Sequence, residues 1–112
     1  MQNKSKQVQQ GDVVLLRVGN LPSGSKRLGC DKRGVVLAEG EHTGHHHRIS
    51  DTGGVALMEA PGGLRFLVNE TEDDVVIQHE EHKPVTVAPG IWQVGQVREK
   101  DWFADMVHTV RD

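Results

Sequence analysis

"VALMEAPGGLRFLVNE", residues 55–70, decides the fold. It consists of two runs of apolar residues, several of them β-branched or aromatic, split by the turn-forming triplet Pro61-Gly62-Gly63. Neither run carries a helical period, so the stretch reads as strand, turn, strand. The same grammar extends in both directions. Upstream lie "DVVLLRV" (12–18), a Gly- and Pro-punctuated loop (19–34), "VVLAEGE" (35–41) and "HHHRIS" (45–50), with turns at Thr43-Gly44 and Asp51-Thr52-Gly53-Gly54. Downstream come "DVVIQHE" (74–80), "PVTVA" (84–88) and "IWQVGQVRE" (91–99), the last two divided by Pro89-Gly90. No segment before residue 100 sustains a helical period for three turns, and "KDWFADMVHTVRD" (100–112) reads as a short helix or as a bend plus a final strand, with Val107 and Val110 favouring the second. Six to nine short, evenly spaced strands predict an all-β chain, a small single-domain β-sandwich or barrel. Residues 1–10 are polar and aperiodic, as expected of a flexible N-terminal tail, leaving 11–112 as one β domain.

Bulk properties narrow the function classes. A chain of 112 residues supports one hydrophobic core. The net charge of −3 comes from interspersed acids and bases, so no basic face is predicted and no nucleic-acid partner is expected. Lys26, Arg27, Lys32 and Arg33 fall in the long loop and read as solvated surface. Cys30 is the single cysteine, which excludes an intrachain disulfide and a thiolate zinc cluster within one chain. The N-terminus carries no apolar stretch, and no window approaches the roughly 18 apolar residues of a membrane span. The expectation is a cytoplasmic protein without a membrane partner.

Six of the seven histidines sit in two short segments, "HTGHHH" (42–47) and "HEEH" (79–82). Alternate residues of a strand share a face. That parity sets His45, His47 and Ile49 on one side, opposite the polar His46, Arg48 and Ser50. It likewise groups Val75, Ile77 and His79 against Val76, Gln78 and Glu80. In both segments an apolar, inward stripe continues into histidine. If the segments are neighbours, His45, His47, His79 and His82 converge at one mouth of the barrel.

Neutral imidazole is the commonest protein ligand for divalent transition metals, so this set predicts a metal site for Zn, Fe, Mn, Ni or Cu. Glu81 is the candidate general base, and Glu81 or Glu41 the carboxylate supporting an imidazole or the ion. Three ligands would leave a position for water, and four would close the site. His42 and His46 read as exposed bystanders and His108 as structural; Trp92, Trp102 and Phe103 read as core. "HEEH" is not the metalloprotease HExxH, whose histidines stand four apart on a helix. Competing explanations of the cluster are loop solubility and a pH sensor.

His45-His46-His47 and "PVTVAPGIWQV" (84–94) resemble the two motifs of the cupin barrel, which implies a metal-holding barrel. The chain departs from that pattern at Asp51 and Thr52, where the cupin Glu is expected, and in placing its second histidine pair before Pro89-Gly90. "LAEGEHTGHHHRI" (37–49) and "HEEHKPVTVAPGIWQV" (79–94) are similar to a group of short bacterial and phage proteins with TGHxHR and HEEHxP motifs. That likeness covers most of residues 11–99. His45, His47, His79, Glu81 and His82 match its motifs, whereas Ala88 and Trp92 replace its Pro and Tyr. It implies one joint histidine site and names no reaction or substrate. Two readings therefore stand. One is a metal-binding β protein, as an enzyme of unknown small-molecule substrate or not. The other is a non-enzymatic assembly module of phage type. Short edge strands make self-association as a dimer or higher oligomer an expectation in either case.

Overall fold

The computed structural model describes residues 6–39, 44–50 and 53–96. Among them are ten strands: β1 (Gln7–Gln10), β2 (Val13–Val18), β3 (Lys26–Leu28), β4 (Val35–Glu39), β5 (His46–Ile49), β6 (Val55–Glu59), β7 (Arg65–Asn69), β8 (Val75–Ile77), β9 (Val85–Val87) and β10 (Gly90–Gln96). The all-β class is as the sequence reads. The strand count exceeds nine because two polar segments also pair. Residues 7–10, expected in a flexible tail, are β1, and residues 26–28 of the supposed loop are β3. No helix among the described residues is long and apolar enough to cross a membrane.

All pairings are antiparallel. Six strands form one sheet in the order β1-β2-β10-β7-β6-β3, while β4-β5 and β8-β9 are two-stranded ribbons. The 55–70 stretch is the β6–β7 hairpin, in register from Val55↔Asn69 to Glu59↔Arg65. One core joins the sheet to the ribbons. Val13, Leu15, Leu57, Leu67, Trp92 and Val94 come from the large sheet, and Val35, Leu37, Ile49, Ile77 and Val87 from the ribbons. Val14, Leu16, Phe66 and Val68, on the opposite face of the large sheet, are buried as well. Strands covered on both faces need no polar alternation, which is why "VVLL" and "FLV" are unbroken apolar runs.

Two features position the histidines. The ribbons are stitched together by an isolated bridge between Arg48 and Gln78, whose amides and carbonyls exchange hydrogen bonds of 3.0 and 2.7 Å. This makes segments 45–50 and 74–80 neighbours. The β1–β2 hairpin turns at Gly11, in the left-handed region at φ 57°, and that turn lies beside the same two segments.

Candidate functional site

His45, His47, His79 and His82 come together. Ring centroids lie 4.3 Å apart for His47–His79, 4.6 Å for His79–His82, 5.7 Å for His45–His79 and 6.0 Å for His47–His82. His47 is the anchor, at 1% exposure beside Ile49 in the core, whereas His45 and His79 are half-buried and His82 faces solvent. Parity thus places His47 and Ile49 inward, as it does Ile77.

Each ring has a specific seat. His79 closes its own turn: Nδ1 accepts the backbone N–H groups of Glu81 at 3.0 Å and His82 at 3.3 Å. This curls "HEEH" so that His82 returns against His79, and it leaves Nε2 as the ring nitrogen of His79 outside that turn. The Nε2 edge of the His82 ring packs against Gly11, where an added Cβ would stand 2.5 Å from His82 Nε2. His47 Nδ1 is 2.8 Å from Gln10 Oε1, and His47 Nε2 is 3.3 Å from Asp12 Oδ1. Gln10, 3% exposed, spends its amide nitrogen on the carbonyls of Ile77 and Lys83, both at 3.0 Å.

The electrostatics favour the neutral ring at His47 and at His79. Burial, then the neighbouring His79, pushes the His47 pKa below the usual 6.5 despite the opposing pull of Asp12. Burial, then His82, lowers His79 in the same way. Neutral imidazole is the form that donates a lone pair to a metal. Glu80 is held at about 2, chiefly because its carboxylate accepts the His46 backbone N–H. That contact is 2.8 Å, and the other oxygen takes a hydrogen bond from Arg48 at 3.0 Å.

The sequence expectations divide accordingly. His45, His47, His79 and His82 are brought to one cluster. Glu81 extends into solvent, with its carboxylate 3.6 Å from His45 Nδ1. His46, expected to be an exposed bystander, is 9% exposed, because its strand neighbour across the bridge supplies Glu80 to cover it. Glu41, His42, His108, Trp102 and Phe103 lie outside the described residues. Trp92 is fully buried, with its indole N–H donating to the Ala88 carbonyl. Sequence reasoning missed Gln10, Gly11, Asp12 and Glu80, all of which touch the histidine segments.

As the side chains stand, no three His, Cys, Asp or Glu among the described residues form a group that could hold a metal ion. The rings meet in stacked, tilted and edge-on arrangements, with interplanar angles from 14° to 82°. Four of the six ring pairs nonetheless lie at spacings close to those of imidazoles on a shared ion. Nitrogens about 2.1 Å from an ion put ring centroids about 3.2 Å from it, and tetrahedral partners about 5 Å apart. The observed 4.3–6.0 Å spans that value.

No curated protein and no solved structure matches this chain. One family does, a domain of unknown function (DUF8820), whose profile covers residues 9–97, the span that runs from β1 through β10 and holds every residue of the cluster. The chain belongs to that family.

Proposed function

We propose that this small all-β domain binds one divalent first-row transition ion through His45, His47, His79 and His82. The observation that carries the reading is the convergence of four imidazoles from two segments more than thirty residues apart, with the environment of His47 and His79 favouring the neutral form. Binding requires the rings to turn their lone pairs toward a common point, and His79, whose Nδ1 accepts two backbone N–H groups, must release those bonds or move its ring proton off Nε2. Zn, Fe, Mn, Ni and Cu all accept imidazole nitrogen. Should the ion keep a water, Glu81 is the carboxylate within reach to act as general base, since it already stands beside His45.

The test is elemental analysis of untagged protein purified without a metal column, alongside His45→Ala/His79→Ala. About one equivalent in the parent and none in the variant is the expected result. Absence from both, with no thermal stabilisation by added divalent ions, would transfer the reading to an assembly module.

A further inference from the structure

A second candidate site opens at the β3 edge of the large sheet and shares no residue with the histidine cluster. β3 pairs with β6 only from Lys26↔Glu59 to Leu28↔Leu57, whereas β6 reaches back to Val55. The strand β4, which also packs against β6, begins at Val35 and belongs to a different sheet. The seam between them is a cleft of about 250 Å³, whose lining includes Arg27, Leu28, Cys30, Val35, Val55 and Leu57.

The alternation of hydrogen bonds turns the backbone of Val55 toward this seam. In an antiparallel pair, every second residue aims its N–H and C=O at the partner, and the residues between aim theirs the opposite way. The Gly54 carbonyl accepts from the Glu70 amide and the Ala60 amide donates to the Leu64 carbonyl, both at 2.7 Å. Residues 54, 56, 58 and 60 therefore face β7, while Val55, Leu57 and Glu59 face the β3 side. Leu57 and Glu59 meet Leu28 and Lys26 there, but Val55 lies past the end of β3. Among the described residues its N–H and C=O have no hydrogen-bond partner, although the residue is 2% exposed. Buried backbone groups are almost always paired, so an open pair on the wall of a cleft marks a place for a ligand or for water.

Arg27 brings a charge to the same cleft. Among the described residues its exposed guanidinium forms no ion pair or hydrogen bond, whereas Arg33 and Arg48 hold Asp31 and Glu80. Val35 and Leu57 supply an apolar floor that belongs to the core. We propose that the cleft captures the C-terminus of a partner peptide, which adds to β6 as a parallel strand beyond β3. In that pairing the Val55 N–H donates to one peptide carbonyl, and the peptide N–H two residues further on donates to the Val55 carbonyl. A peptide running this way ends at β3, where Arg27 takes its terminal carboxylate. The cleft is smaller than the roughly 300–1,000 Å³ of pockets for drug-sized ligands, so it accepts one small apolar side chain such as valine. The preceding residues lie along the open edge of β6.

The test is an amide NMR titration of the isotope-labelled full chain with three probes: N-acetyl-Ala-Ala-Val as the free acid, the same peptide amidated, and N-acetylvaline. The free acid is expected to move the Val55 amide proton downfield, saturating by about 5 mM, and to slow iodoacetamide alkylation of Cys30. Amidation and Arg27→Gln should each weaken binding about tenfold or more. Combined, they should weaken it no further, because both remove the same contact. N-acetylvaline, which lacks the carbonyl for the Val55 N–H, should also bind about tenfold more weakly or worse. Because Arg27 is exposed, the amide spectrum of Arg27→Gln should otherwise match the parent's. A Val55 amide unmoved at about 5 mM free acid assigns the cleft to water and overturns the proposal. Equal affinity for acid and amide removes the carboxylate contact and overturns it too. N-acetylvaline binding as tightly as the peptide replaces the partner chain by a free acylated amino acid.

Discussion

Asn69 and His47 are both almost fully buried polar residues at strand ends, and they are satisfied in opposite ways. The Asn69 amide nitrogen donates to the carbonyls of Asp73 and Val87 at 3.0 and 3.1 Å. Its oxygen accepts from the Thr71 amide at 3.0 Å and the Thr71 hydroxyl at 2.7 Å. Two donors and two lone pairs are thereby used completely. His47 completes one nitrogen on Gln10 and turns the other toward a carboxylate, while the neighbouring His46 Nδ1 is buried without a hydrogen-bond partner among the described residues. A closed polar network specifies a turn and binds nothing. A histidine that shares its second nitrogen with a carboxylate keeps the option of taking up a proton.

Four experiments would break or sharpen the contrast. The largest effect belongs to Asn69→Ala, which strands the buried Val87 carbonyl and removes the acceptor of the Thr71 amide. It should destabilise by about 3 kcal/mol in urea unfolding, with metal affinity unchanged. A loss below about 1 kcal/mol would show that the network is not what holds this turn. Gly11→Ala combines left-handed strain with displacement of the His82 ring. We expect about 1–2 kcal/mol of destabilisation together with roughly tenfold weaker Zn(II) binding. Stability lost at full affinity would remove His82 from the ligand set.

Acidification comes next. In chelator-treated protein, His47 and His79 have folded pKa values below the usual 6.5, so the unfolded chain takes up protons first. Their contribution is fully present above about pH 6.5 and is lost as pH falls toward the folded values. Urea midpoints should decline from pH 7 to pH 5 in the parent and more shallowly in His79→Gln. Asn69→Ala, which alters no titrating group, should run parallel to the parent. The smallest effect is that of Arg48→Ala. Its bridge to Glu80 is partly exposed, so about 0.5 kcal/mol is expected at low salt and less at high salt.

His47 and His79 were legible because each lies two residues from a buried isoleucine, Ile49 or Ile77, on a period-two stripe that His45 extends. Parity fixes the face of a residue and says nothing about what covers it. His46 is buried by Glu80, 34 residues further along the chain, and no local pattern announces that. The adjacency of the two histidine segments depends on one bridge between β5 and β8, which are not consecutive. The strands β1 (QVQQ) and β3 (KRL) have too little apolar character to register as strands; their neighbours in the sheet make them so. "QGD" (10–12) reads as the end of a polar tail and the start of a turn. Its chemistry emerges only when His47 and His82 arrive.

Gln10 joins parts of the chain that are far apart in sequence. Its side chain bonds to residues 37, 67 and 73 positions away. Closing loops of that length must precede the reward of those bonds, so the histidine mouth belongs to the late, slow part of folding. No partly folded hairpin contains it. An ion held there would recognise the finished topology and act as a staple across the chain, in a protein whose single cysteine rules out an internal disulfide. Less whatever the unfolded His45–His47 run can itself bind, its affinity would count against global unfolding.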